Sequence, residues 1–229
     1  MITVHHLETS RSQRILWLLE ELGLPYEVVR YKRDGKTRLA PPELRRIHPI
    51  GKSPVLTDGE VTVAESGAIL EYLAATYGQG REGELAHLDP PKGSPEWLQV
   101  RYWMHFAEGS LMNWLVMKLV FMSLPSQPMP FLVRPIVRRM CAQVQDKLVD
   151  PNIANAVQLM ESQLTNKRWF IGDQLTLADF QMSFPVEAAF ARARRAADLP
   201  CLRAYRERMH TRPAYQRAIA RGGPVMLEG

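Results

Sequence analysis

The chain has 229 residues, 46% hydrophobic and 23% charged, which suits one large domain or two small ones around a substantial core. Its most apolar stretch, 111–124, is interrupted by Asn113, Lys118 and Ser123, too short and polar to span a bilayer, and the start shows no secretory signal. The formal net charge of +5 invites a nucleic-acid reading, but the basic clusters at 134–140 and 192–195 lack interleaved aromatics and read as solvated helix faces.

In chain order, ITVH at 2–5 reads as a strand. Ile15, Leu18, Leu19 and Leu22 then recur at the helical interval, with Thr9, Ser10 or Ser12 as cap and Gly23 and Pro25 as the stop. YEVVRY at 26–31 alternates like a strand and completes a βαβ unit. After a polar loop with a short helix near 42–47, PVLT and EVTV flank Asp58-Gly59, a hairpin signal. Ile69, Tyr72, Leu73 and Thr76 mark a closing helix. A Gly/Pro-rich stretch around 78–95 follows, and beyond it only helical patterns remain, at 96–123, 131–149, 152–165, 176–193 and 200–220. The domains are expected at 1–80 and 93–229, with a linker at 81–92. LTLADF at 175–180 reads as a capping box, with Thr176 as N-cap and Asp179 three residues on, a structural signal rather than a catalytic acid. Cys141 and Cys201 have no redox or metal-ligand spacing and read as two reduced, buried thiols of a cytoplasmic protein.

Three segments are candidates for chemistry. Ser53-Pro54 opens a strand-like run. Taken alone it reads as a trans proline at a strand start, whereas a cis bond, seen in about 5–6% of such bonds, would turn the Ser53 N–H and C=O outward as a peptide-binding edge. Glu65-Ser66 opens a helix, where unpaired N–H groups and the macrodipole favour an anion; the plain alternative is a simple cap. In LETSRSQR at 7–14, Ser10, Thr9 and Ser12 are hydroxyl donors at a helix start and Arg11 adds positive charge. Lowering a thiol pKa by about two units takes roughly 2.7 kcal/mol. The helix dipole and one charge-assisted hydrogen bond together are of that size. No His or Asp is spaced to activate a serine there.

A Ser/Thr-bearing strand–turn, Ser-Pro, Glu-Ser and an all-helical half with TLADF, in this order, resemble a glutathione transferase. SRSQRILWLLEELGLPYEVVRYKRD, APPELRRIHPIGKSPVL, AESGAILEYL, EGSL and MSFP are similar to the fungal and bacterial branch related to yeast glutathione transferase I. The resemblance covers essentially the whole chain. It implies an α/β N-terminal thioredoxin-like domain (βαβ-ββα) plus an all-α C-terminal domain, a cytoplasmic homodimer, and conjugation of the glutathione thiolate to small hydrophobic electrophiles. Glutathione-dependent peroxide or disulfide reduction, and non-catalytic ligand binding, are the alternatives. Ser53 beside a cis Pro54 would hold the cysteinyl part, Glu65 and Ser66 the γ-glutamyl end, and Lys52, Arg38 and His48 further polar contacts. Ser10 is the expected catalytic residue, with Thr9 second, because the loop has no Tyr or Cys. Tyr102, His105, Glu108 and Met112, with Phe106 and Trp114 nearby, are the second-substrate candidates, and helical spacing puts His105, Glu108 and Met112 on one face. No cofactor beyond the co-substrate, metal, nucleic acid or membrane is implied.

Overall fold

The computed structural model describes residues 1–193 and 195–225; Arg194, inside the second basic cluster, lies outside the described residues. β1 (Ile2–Leu7), α1 (Gln13–Leu22) and β2 (Tyr26–Tyr31) form a βαβ unit whose strands pair in parallel, Ile2 opposite Tyr26. A four-residue α2 (Leu44–Ile47) precedes β3 (Val55–Asp58), β4 (Val61–Ala64) and α3 (Ser66–Tyr77). β3 runs antiparallel to β1, with His5 opposite Val55, so the sheet order is β2-β1-β3-β4. The hairpin turns at Gly59-Glu60, one residue later than Asp58-Gly59, because Gly59 takes the left-handed conformation (φ 59°) such a turn requires. This is the thioredoxin-like βαβ-ββα arrangement.

Beyond it the described residues are helical or irregular, apart from one isolated bridge between Trp169 and Gly172. α4 (Pro95–Phe106) starts at Ser94, whose side chain accepts from the Trp97 N–H, and continues through a π-helical segment, Ala107–Met112, into α5 (Asn113–Ser123). α6 (Arg134–Val144) likewise runs through a π segment, Gln145–Val149, into α7 (Asp150–Leu164), so the two helices expected there form one rod. Arg134, Arg138 and Arg139 are exposed on it, the solvated face expected of the first basic cluster. α8 (Leu177–Arg192) is followed by α9 (Pro200–Thr211) and α10 (Pro213–Gly222). These last two replace one long expected helix. Pro213 drives Arg212 out of the helical region (φ −70°, ψ 128°) and splits it.

α1 is buried almost all round because it lies between the sheet, α3, α8 and α10. Trp17 packs against Phe180 of α8 at 4.4 Å and edge-on against Tyr215 of α10 at 5.4 Å, so one apolar core joins the sheet half to the helical half. Cys141 is buried as expected, but Cys201 is only half-buried. It lies in the first turn of α9, where the Glu161 carboxylate reaches across from α7 to accept the N–H groups of Cys201 and Leu202.

The start of α8 is pinned as its sequence implied. The Asp179 carboxylate accepts the Thr176 N–H at 2.9 Å, the Thr176 hydroxyl at 3.0 Å and the Phe170 N–H at 2.9 Å. Complete burial nevertheless raises its pKa from 3.8 to about 6 against those donors. The folded chain therefore holds a proton that the unfolded chain has lost. The resulting stability is full below about pH 4 and is lost as pH rises through about 6. In urea denaturation, the advantage of wild type over Asp179→Asn should shrink by about 2 kcal/mol between about pH 4 and pH 7. A pH-independent difference would contradict this account of Asp179.

Candidate functional site

Three loops converge where β1 and β4 end and β3, α1 and α3 begin. The Ser53–Pro54 bond is cis. The Ser53 hydroxyl donates to the His5 carbonyl at 2.8 Å and accepts the Leu7 N–H at 3.1 Å, which stitches this segment to the end of β1. The Ser53 backbone N–H and C=O bond to nothing among the described residues and remain available to an extended peptide.

Arg33 ties down the loop after β1 by donating to the Glu8 and Thr9 carbonyls, both at 3.3 Å, while its own N–H bonds the Glu8 carboxylate. Thr9 is held at φ 46°, an uncommon conformation for a β-branched residue, and its hydroxyl has no partner among the described residues. Ser10 is 6% exposed. Its Oγ accepts the Ser12 N–H at 3.3 Å and lies 2.7 Å from the Ser12 Oγ. Ser12 occupies the N-cap position without a capping bond, because the helix is entered through tight turns from Gln13 to Ser10 and from Arg14 to Arg11. Contrary to the expectation from spacing, a histidine does stand beside these serines: His6 Nδ1 is 2.7 Å from the Ser12 Oγ.

Ser66 opens α3 after Glu65, an exposed residue at φ 71°. The Ser66 hydroxyl accepts from Arg14 Nη1 at 2.7 Å and makes a longer bond to Gln181 of α8 at 3.4 Å, leaving the backbone N–H groups of the first turn for an anion. Arg14 is 0% exposed, and burial lowers its pKa to about 10 even though Glu108 favours the charged form. Its Nη1 lies 2.6 Å from Glu108 Oε1, while Arg11 Nε lies 2.9 Å from Oε2. Burial would raise the pKa of Glu108, but the Arg14 and Arg11 charges outweigh it and hold the carboxylate below its ordinary range. Both guanidinium groups also sit over the Phe184 ring, at 5.6 and 5.7 Å.

Other expected residues scatter more widely. Lys52 and Arg38 are exposed, and Arg38 lies in a turn at φ 59°; His48 ends α2 and accepts the Ile50 N–H. His105, Glu108 and Met112 do not share one face: His105 is exposed, Glu108 is bound to two arginines, and Met112 is 2% exposed in the core. The π segment changes the phase of the helix between His105 and Met112. Tyr102 is exposed and stacks on the buried Phe106 at 5.9 Å, while Trp114 is half-buried. Sequence reasoning missed Arg14, His6, Gln181 and Phe184. Of these Arg14 alone had a legible signal, a charge among the apolar positions of α1.

The fold defines a two-domain protein of the thioredoxin-like class, with the convergent loops next to the helical half. Residues 1–75 match the family model for the N-terminal domain of glutathione S-transferase, and residues 113–213 match that for its C-terminal domain. The chain is 38% identical to Glutathione S-transferase 3 of Schizosaccharomyces pombe, over 82% of this chain and 74% of the relative. It is 33% identical to Glutathione S-transferase 1 of Saccharomyces cerevisiae, over 84% and 82% respectively. A crystal structure of a glutathione S-transferase from Actinobacillus pleuropneumoniae matches with a TM-score of 0.76 at 31% identity, over 97% of this chain and 93% of that one. The chain belongs to the glutathione S-transferase family, enzymes that bind glutathione as co-substrate and conjugate it.

Removing Glu108 leaves the Arg14 charge buried without its counter-ion. Glu108→Ala should lower the unfolding free energy by about 3 kcal/mol, and adding Arg14→Met in the same chain should recover part of that loss. Strictly additive losses in urea denaturation would show that the pair is not coupled.

Proposed function

We propose that the enzyme binds glutathione across the three loops, holds its sulfur at Ser10 as the thiolate, and adds it to a small hydrophobic electrophile. One observation carries this reading: direct bonds draw the Ser53 edge to β1, the Ser66 helix start to Arg14 of α1, and Ser10 to the start of the same helix. The cysteinyl backbone would pair with Ser53 beside Pro54. The γ-glutamyl carboxylate would meet the first turn of α3 at Ser66, with the Arg14 charge behind it, and its ammonium would meet Glu65. Lys52, Arg38 and His48 lie toward the glycyl end. Thr9 shapes the loop at its left-handed position and is second to Ser10 as thiol contact.

The electrophile would lie over Arg11, whose guanidinium covers the buried Phe184 ring, against the side of α4 that carries Tyr102 and His105, with Glu108 fixing the wall and Met112 packed beneath it. No cofactor enters this chemistry. The loop holds no cysteine for a mixed disulfide, which favours conjugation over disulfide reduction. Domain limits at 1–80 and 93–229, joined by 81–92, and a cytoplasmic location accompany this reading; among the described residues no helix is long and apolar enough to cross a membrane. A homodimer is proposed on the exposed Phe131, Leu132, Ile136 and Met140, apolar area that a second copy would cover.

Ser10→Ala should lower kcat/KM for glutathione conjugation of chlorodinitrobenzene about 100-fold, the usual loss when one donor to a developing anion is removed, and Thr9→Ala should cost far less. An unchanged rate in Ser10→Ala would remove Ser10 from the mechanism.

A further inference from the structure

Behind Ser10 a chain of hydrogen bonds runs into the protein and ends on the backbone of the last helix. Ser10 Oγ and Ser12 Oγ are 2.7 Å apart, Ser12 Oγ is 2.7 Å from His6 Nδ1, and His6 Nε2 is 2.8 Å from the Gly222 carbonyl oxygen. His6 is 2% exposed. Gly222 is held close: a Cβ there would collide with Gln13 and Leu16 and sit 3.1 Å from the His6 ring.

The direction of this chain follows from chemistry. A carbonyl oxygen only accepts, so His6 Nε2 carries a hydrogen. Burial holds His6 below its ordinary pKa; the Gly222 carbonyl and Glu8 favour the charged ring, and Arg30 on β2 opposes it. The resting imidazole is therefore neutral, and its Nδ1 accepts. Ser12 must donate to Nδ1, and Ser10 must donate to Ser12. The Ser10 oxygen, with its hydrogen turned inward, thus offers lone pairs to the Ser12 N–H and to whatever stands in the cleft. At rest Ser10 is an acceptor for a thiol hydrogen, not a donor to a thiolate.

We propose that His6, acting through Ser12 and Ser10, is the base that receives the thiol proton of glutathione; this rests on the reading of Ser10 as the thiol contact. The S–H bond breaks and its proton passes to Ser10 Oγ, the Ser10 hydrogen passes to Ser12 Oγ, and the Ser12 hydrogen passes to His6 Nδ1. Each hydroxyl ends with one hydrogen. The sulfur keeps the electron pair as thiolate, and the imidazolium keeps its Nε2–H on the Gly222 carbonyl. Each bond between the sulfur and His6 Nδ1 is reversed, so Ser10 now donates to the sulfur anion. Once the sulfur is bonded to carbon and the product has left, the proton returns down the same path to water at the vacated position. His6 and Ser12 touch no substrate; they are positioning residues that act through Ser10.

The test titrates the ultraviolet thiolate band of glutathione bound to the full-length enzyme, without electrophile, alongside glutathione affinity. Ser12→Ala and His6→Asn should each raise the pH midpoint of the bound thiol by about one unit, about a tenfold loss of thiolate below the midpoint, with affinity nearly unchanged. Ser12→Thr, which keeps the hydroxyl, should restore the wild-type midpoint. If His6→Asn does not fold, the Ser12 pair carries the test. An unmoved midpoint in Ser12→Ala, with a raised one in Ser10→Ala, would overturn the relay and leave Ser10 in place. An unmoved midpoint in Ser10→Ala as well would overturn the Ser10 reading itself.

Discussion

Arg14 is a cation without access to water, and the neighbourhood of the site is arranged around that fact. A guanidinium in such a place must be paired, because removing its partner costs several kcal/mol. Glu108 pairs it from the helical half, and the Ser66 hydroxyl accepts from it in the sheet half. One side chain of α1 therefore fixes the distance between the start of α3 and the π-helical turn after α4. Arg11, sharing Glu108 and the Phe184 ring, extends the same clamp toward the cleft. The apolar packing of Trp17 against Phe180 and Tyr215 holds the same two halves together without charge. The hydrophobic contact supplies adhesion, and the ion pair supplies register.

With that register set, the rest of the site is mostly backbone. Ser53 contributes an unpaired edge, and Ser66 contributes a helix start. The left-handed residues Thr9 and Glu65 stand immediately before Ser10 and Ser66, in a conformation such side chains seldom adopt. In the proposed reading, a peptide with a carboxylate at one end and a thiol in the middle would meet the anion site, the hydrogen-bonding edge and the hydroxyl in turn. The inward-facing chemistry is different in kind. His6, Ser12 and Gly222 are concealed beneath the surface, where a hydrogen bond is stronger and its direction is fixed by which group can only accept.

Much of this could be read from the residues. Alternation in YEVVRY, the Ile15–Leu22 helical interval and the Gly59 turn each rest on local rules, and each element formed, the hairpin displaced by one residue. The Thr176–Asp179 box was legible because its partners lie three residues apart. Ser53, Glu65 and Ser66 were singled out through the family resemblance of their motifs, and the structure ties Ser53 to the end of β1 and Ser66 to Arg14 of α1. What could not be read depended on contacts distant in sequence. His6 finds Ser12 because the turn after β1 folds back, and it finds Gly222 only once α10 has packed on α1. Glu108 looked like a residue facing substrate because a regular helix aligns it with His105 and Met112; the π segment breaks that alignment, and Arg14 claims the carboxylate. The single helix expected at 200–220 failed at Pro213, whose effect on Arg212 is local and was there to be seen.

The central claim is that Ser10, rather than Thr9, meets the sulfur of a glutathione whose γ-glutamyl end rests on the first turn of α3. A crystal structure of the enzyme with glutathione bound tests it most directly. The account predicts the sulfur within hydrogen-bonding reach of the Ser10 Oγ, the cysteinyl backbone paired with the Ser53 N–H and C=O, and the γ-glutamyl carboxylate on the Ser66 N–H. A sulfur turned to the Thr9 hydroxyl and away from Ser10, or a tripeptide lying elsewhere than along the Ser53 edge, would contradict it.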